Sequence, residues 1–258
     1  MESTKELRTI CQGTRESAVY QMNRMDRYFL RNVSIHITRL CLLNGRITAN
    51  QVTFASLCFV IAAGFCFLLG SPRLWIIGVA MFVMYMVLDC VDGEIARYRI
   101  RKCKGFDNRP LGSGAVLGGI VDWFTWPYML ACMSLGLFLV TGSLWAILFG
   151  FVAVIARSLY MDVGLLPYSF FHEHGILDKL SKDDECPKEP ILLRIGRTSF
   201  GAQGFIVLML VTATLDWCAV SLLSARLVYL ALFGLAATFG VLLKARDVYR
   251  NGARIQRI

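Results

Sequence analysis

The amino-acid sequence predicts an all-α, polytopic membrane protein: six transmembrane helices with a cytoplasmic amphipathic helix ahead of them. Of the 258 residues, 56% are hydrophobic and only 17% charged, against about 45–50% and about 25% in an average soluble domain. The apolar residues are gathered into blocks near the roughly 20 residues that cross a bilayer's hydrocarbon core. Of the 27 Lys and Arg residues, 24 are gathered onto the termini and alternate connections between those blocks. Disorder is excluded, since disordered chains are poor in apolar residues. A disulfide-stapled module is disfavoured as well. The nine cysteines are odd in number and scattered without a CxxC pair, so they read as small apolar residues.

The expected spans run from Val52 to Gly70, from Leu74 to Leu88 and beyond, from Ala115 to Thr141, from Leu144 to Tyr160, from Phe200 to Leu223 and from Leu227 to Leu243. Period-2 alternation is absent, which argues against a transmembrane barrel. The first 48 residues lack the basic start and short apolar core of a cleavable signal. Residues 1–48 carry eight Lys/Arg, 97–111 carry six, 172–198 carry five and the tail from Lys244 carries five. The alternate connections hold only Arg73 and Arg226. Cytoplasmic loops carry the basic excess, so both termini are expected in the cytoplasm, as in a bacterial inner membrane or its equivalent. Nucleic-acid binding would need the basic residues on one soluble face, and they are not so placed.

Residues 18–47 alternate apolar and basic residues at helical spacing. Such a helix can lie flat among headgroups or pack on the bundle's cytoplasmic side. The organisation expected is therefore a cytoplasmic segment 1–48, a membrane domain 49–251 and a tail 252–258. His172 and His174 read as loop histidines, and Asp216 as a boundary residue at the far end of the fifth span.

The second span ends in acid. Asp89, Asp92, Gly93 and Ala96 fall within about 100° of one another on a helix. Two carboxylates repel unless a cation lies between them, and ionisable groups at a span default to function. Oxygen ligands suit Mg²⁺, Mn²⁺ or Ca²⁺ rather than zinc. On the antiparallel third span Gly118 stands one turn before Asp122, which can complete the cation site. Arg157, inside the fourth span, reads either as a snorkelling cation or as a contact for an anionic acceptor or lipid phosphate.

The run D-x2-D-G-x2-A-R at Asp89, Asp92, Gly93, Ala96 and Arg97, followed by Gly118 and Asp122, resembles the signature of the CDP-alcohol phosphotransferases. The resemblance extends over roughly residues 26–145 and includes Asn50-Gln51-Val52-Thr53, with Ala49 where that family often has proline. It implies transfer of a phospho-alcohol group from a CDP-alcohol to an acceptor hydroxyl with release of CMP. One substrate would be a lipid, and CDP-diacylglycerol is a candidate donor. It further implies a divalent cation, Mg²⁺ or Mn²⁺, on Asp89, Asp92 and Asp122. Gly93, Ala96, Arg97 and Gly118 would line the donor site, and membrane lipids and a second copy of the chain are the further partners considered.

The sequence departs from the family twice. Twenty residues, Tyr98–Leu117, separate the two halves of the motif, which reads as an enlarged basic loop. The motif's last Asp, which the family uses as metal ligand and base, falls on Trp126. Asp122 is then the expected catalytic carboxylate, with Glu94, read as solvated on a neighbouring face, and Asp107 as substitute ligands or bases. Three other readings compete: a member that binds without turnover, an intramembrane prenyltransferase, and a transporter. The second gives no reason for Gly93, Ala96 and Arg97, and transporter sites lie nearer the midplane.

Overall fold

The computed structural model describes residues 2–12, 29–102, 113–173, 202–218 and 224–255. Among these the chain is helical throughout, without strands: α1 (Thr4–Gln12), α2 (Arg31–Asn44), α3 (Ala49–Leu68), α4 (Pro72–Lys102), α5 (Ser113–Thr141), α6 (Leu144–Glu173), α7 (Ala202–Trp217) and α8 (Ala225–Ile255).

Local chemistry sets several of the ends. Ser3 and Glu6 form a reciprocal capping box at α1, with the Ser3 N–H donating to Glu6 at 2.8 Å and the Glu6 N–H to Ser3 Oγ at 3.3 Å. Thr48 and Gln51 repeat the device at α3, at 2.9 and 3.2 Å. Gly70, at φ 71°, closes the turn after α3, and Pro72 opens α4. This is the usual asymmetry of glycine after a helix and proline at its first position.

Among the described residues four helical stretches are long and apolar enough to cross a membrane: Ala49–Leu68, Pro72–Lys102, Val116–Thr141 and Ala225–Arg246. Two shorter apolar stretches, Leu144–Tyr160 and Gly204–Trp217, fall where the fourth and fifth spans are expected. The enlarged loop is smaller than its sequence suggests, because α4 continues to Lys102 and α5 begins at Ser113. Asp107 lies outside the described residues, as do His174 and most of the connection that follows it. His172 stands on α6 rather than in a loop.

The chain divides into two compact units, one of Met1–Cys66 with Ile77–Thr125, the other of Phe67–Ile76 with Trp126–Ile258. In the first, Leu7, Cys11 and Ile35 form a buried cluster joined by Ile10, Leu42 and Tyr98. Val52, Val91 and Ile95 form another, against which Ile37, Cys41 and Leu88 pack. Of residues 18–47, therefore, α2 is packed on α3 and α4 through its inner face. Its outer face exposes Val33, Leu40 and Leu43.

In the second unit close approach does the work that apolar burial does in water, since lipid tails are as apolar as the helices themselves. A Cβ at Gly136 would run into the Phe67 carbonyl, and one at Gly150 into Ser134. Ser134 Oγ donates to the Ala146 carbonyl at 2.9 Å. Asp216 is a structural anion: it accepts from the Ala225 N–H at 2.6 Å, from Ser224 Oγ at 2.8 Å and from Arg226 Nε at 2.6 Å. A carboxylate here also meets the positive end of α8. Arg226 further donates to the Gly70 carbonyl at 2.6 Å and lies 4.7 Å from the centre of the Trp75 ring. Arg73 lies over Trp217 at 5.4 Å. Both arginines that interrupt the alternation of basic connections thus have aromatic partners.

Candidate functional site

The acid face is built within the first unit. Asp89, Asp92 and Ala96 follow one another along α4 at helical spacing, and α5 supplies Asp122. Asp89 lies within electrostatic range of Asp122 and Asp92, and Asp92 within range of Asp122. Two hydroxyls hold the outer pair. Thr53 Oγ1, on α3, donates to Asp92 at 2.5 Å, and the Tyr85 hydroxyl, one turn before Asp89, donates to Asp122 at 2.7 Å. Tyr85 is itself held by stacking on Phe82, with ring centres 5.6 Å apart. Neither Thr53 nor Tyr85 was singled out from the sequence. The signals were present, in the Asn-Gln-Val-Thr run and in the spacing of Tyr85 from Asp89.

The two glycines of the motif differ. A Cβ on Gly93 would meet the Arg97 guanidinium at 3.2 Å, whereas one on Gly118 would meet nothing within 4 Å among the described residues. The open side of the acid face is therefore at Gly118, and Arg97 roofs Gly93. Arg97 is also fixed at Nε, which donates to the Cys11 carbonyl at 2.6 Å. Arg101 donates to the Ile10 carbonyl at 2.6 Å. These carbonyls belong to the last turn of α1, which has no intrahelical donors for them. The helix α1, unforeseen from the sequence, thus ends on the motif arginine. Its other end is tied by Glu2, which pairs with Lys102 and accepts from the Tyr98 hydroxyl at 2.8 Å. Those bonds hold the Glu2 carboxyl down at about 2. Burial pushes the Cys11 thiol up to about 11.

Glu94 requires a correction. It is not solvated: it is 1% exposed. Gln12 and Ser34 donate to its Oε1 at 2.7 Å each, and Thr38 donates to its Oε2 at 2.6 Å. With both oxygens engaged by α1 and α2, Glu94 ties those helices to α4 in a site closed to solvent.

Among the described residues no group of three or more His, Cys, Asp or Glu side chains stands close enough to hold a metal ion. Asp92 and Asp122 are turned onto their hydroxyl donors. The donor set nevertheless fits a hard divalent cation. It offers three carboxylates and no nitrogen or sulfur, and Asp89 accepts no hydrogen bond among the described residues while facing two further acids.

Trp126 belongs to the second unit and is built into an aromatic cluster, 9% exposed. It meets Phe205 edge-on at 5.1 Å and stacks with Phe233 at 6.3 Å. The Arg157 guanidinium lies 4.3 Å from its ring centre.

Residues 46–173 match the family model described as CDP-alcohol phosphatidyltransferase. Over that stretch, which holds Asp89, Asp92, Gly93, Ala96, Arg97, Gly118 and Asp122, the chain belongs to the CDP-alcohol phosphatidyltransferase family. Members of that family are typically transferases acting on CDP-alcohols. No curated protein matches the chain.

Proposed function

We propose that this protein moves a substituted phosphate group from a CDP-alcohol to an acceptor hydroxyl and releases CMP, at the face formed by Asp89, Asp92 and Asp122. The reading includes six spans and cytoplasmic termini. The observation that carries it is the convergence of the three carboxylates, in a stretch of family sequence, with no cationic side chain bonded to any of them among the described residues.

Asp89, Asp92 and Asp122 would hold Mg²⁺ or Mn²⁺, which when bound neutralises the pyrophosphate and the charge developing on the leaving CMP. Thr53 and Tyr85 fix the carboxylate planes, as partners of metal ligands do. Arg97, with Nε committed to the Cys11 carbonyl, keeps its two terminal nitrogens for a donor phosphate. Gly118 and Ala96 leave room for the nucleotide. The acceptor oxygen bonds to the phosphorus that carries the alcohol, and the bond from that phosphorus to the CMP oxygen breaks. Asp122 takes the proton of the acceptor hydroxyl. In sequence it is the motif acid nearest Trp126, which stands where the family has its last Asp.

Trp126 favours one second reading, in which the chain binds a CDP-alcohol and does not turn it over. The purified protein, assayed for CMP release from CDP-diacylglycerol with Mg²⁺ and a panel of hydroxyl acceptors, separates the two. Release that is lost in Asp122→Asn supports transfer. Absence of release with every acceptor, while a cytidine nucleotide still binds, supports the second reading.

A further inference from the structure

The helices α6 and α8 are drawn together in the second unit, where a Cβ on Gly234 would lie 3.4 Å from the Ala153 nitrogen and the Phe149 carbonyl. Further along, a Cβ on Gly240 would rest 3.5 Å from the Tyr160 ring. At this end two cations meet. The Arg157 guanidinium lies 4.3 Å from the centre of the Trp126 ring and 5.5 Å from that of Tyr160. Lys244 donates to the Tyr160 carbonyl at 3.0 Å, and its ammonium lies 4.1 Å from the same ring. The two charges are close enough to repel. Neither pairs with a carboxylate among the described residues, and Arg157 Nε is buried without a partner there.

Cation–π contacts offset part of the cost of desolvating a guanidinium, yet they do not explain two like charges in one niche at the end of an apolar helix pair. A topology anchor would carry its charge out into water. Arg157 instead lies on a buried tryptophan. Lys244 also lies beyond the family match, which ends at residue 173.

We propose that Arg157 and Lys244, set on the rings of Trp126 and Tyr160, form a binding site for a phosphate group, carried by a membrane lipid or by a water-soluble phosphorylated alcohol. The guanidinium supplies a planar fork and the ammonium a point charge, the pair of donors that phosphate oxygens accept best. The proposal does not depend on the transfer reading, since binding is measured without turnover.

The test uses the full chain in detergent, freed of phospholipid. Inorganic phosphate is titrated calorimetrically, and retention of phosphatidic acid against phosphatidylcholine is followed by native mass spectrometry. Saturable phosphate binding points to a soluble ligand, and selective retention of phosphatidic acid without it points to a lipid headgroup. Either supports the site when Arg157→Gln and Lys244→Gln each weaken binding at least tenfold and exposed Arg246→Gln leaves it unchanged. If Arg157→Gln fails to fold, Lys244→Gln alone decides. Absence of both ligands, or equal loss in Arg246→Gln, overturns the proposal.

Discussion

The Tyr85 hydroxyl donates to Asp122 at 2.7 Å and joins the two halves of the acid motif, one on α4 and the other on α5. Tyr85→Phe keeps the ring against Phe82 and removes only that donor. Loss of such a partner to a metal ligand typically costs about 10–100-fold in metal affinity or activity. CMP release by Tyr85→Phe is expected to fall by roughly that factor, with thermal stability close to the parent's. Unchanged release would take Tyr85 out of the site.

Glu94 is expected to matter for folding rather than for chemistry. Glu94→Ala strands the donors of Gln12, Ser34 and Thr38. A buried polar group left without its partner costs about 1–3 kcal/mol, and here three lose the same acceptor. Denaturant titration is expected to show Glu94→Ala destabilised by at least that amount and Glu94→Gln less so. Equal stability of Glu94→Ala and the parent would contradict the assignment.

The docking of α1 is pH-dependent through Glu2. Its carboxyl is lowered from 4.5 to about 2, first by the Lys102 hydrogen bond and then by Tyr98. A depressed folded-state value stabilises above the ordinary one and is lost as pH falls through the folded one. Docking should therefore hold at neutral pH and weaken between about pH 4.5 and pH 2. At pH 8 the buried Cys11 thiol stays protonated and should resist iodoacetamide, whereas Glu2→Gln should raise its labelling, read peptide by peptide. Equal labelling of Cys11 in both proteins would show that Glu2 does not secure α1.

The pair of Asp216 and Arg226, with side chains 7% and 4% exposed, is expected to behave as a buried ion pair. Removing one partner of such a pair costs about 3–5 kcal/mol, while replacing both by apolar groups is often neutral. Asp216→Ala should lower the unfolding midpoint clearly, and Asp216→Ala with Arg226→Met should recover part of the loss. A double variant worse than the sum of the singles would contradict this.

Much of the architecture was legible in the order of residues. Runs of apolar residues announce helices of membrane length whatever their partners, and Asp89, Asp92 and Ala96 share a face because helical spacing requires it. Less legible were interactions between positions far apart in the chain. The partners of Glu94 stand 56, 60 and 82 residues away, and no periodicity encodes such pairings, so a buried carboxylate read as a solvated one. Arg226 read as an exception to a charge count, although Asp216, ten residues earlier, was its counter-ion. The short helix α1 carries only three apolar residues, Leu7, Ile10 and Cys11, at helical spacing, too brief a stripe to stand out in a polar segment. The Ser3-x-x-Glu6 capping box was its other local sign.

In the proposed reaction Asp89, Asp92 and Asp122 serve one divalent cation. Titration of the purified chain with Mn²⁺, followed by electron paramagnetic resonance, tests it most directly. A saturable Mn²⁺ site is expected in the parent protein, displaced by Mg²⁺ and weakened at least tenfold by Asp89→Asn. Mn²⁺ binding of equal strength in Asp89→Asn and the parent would contradict it.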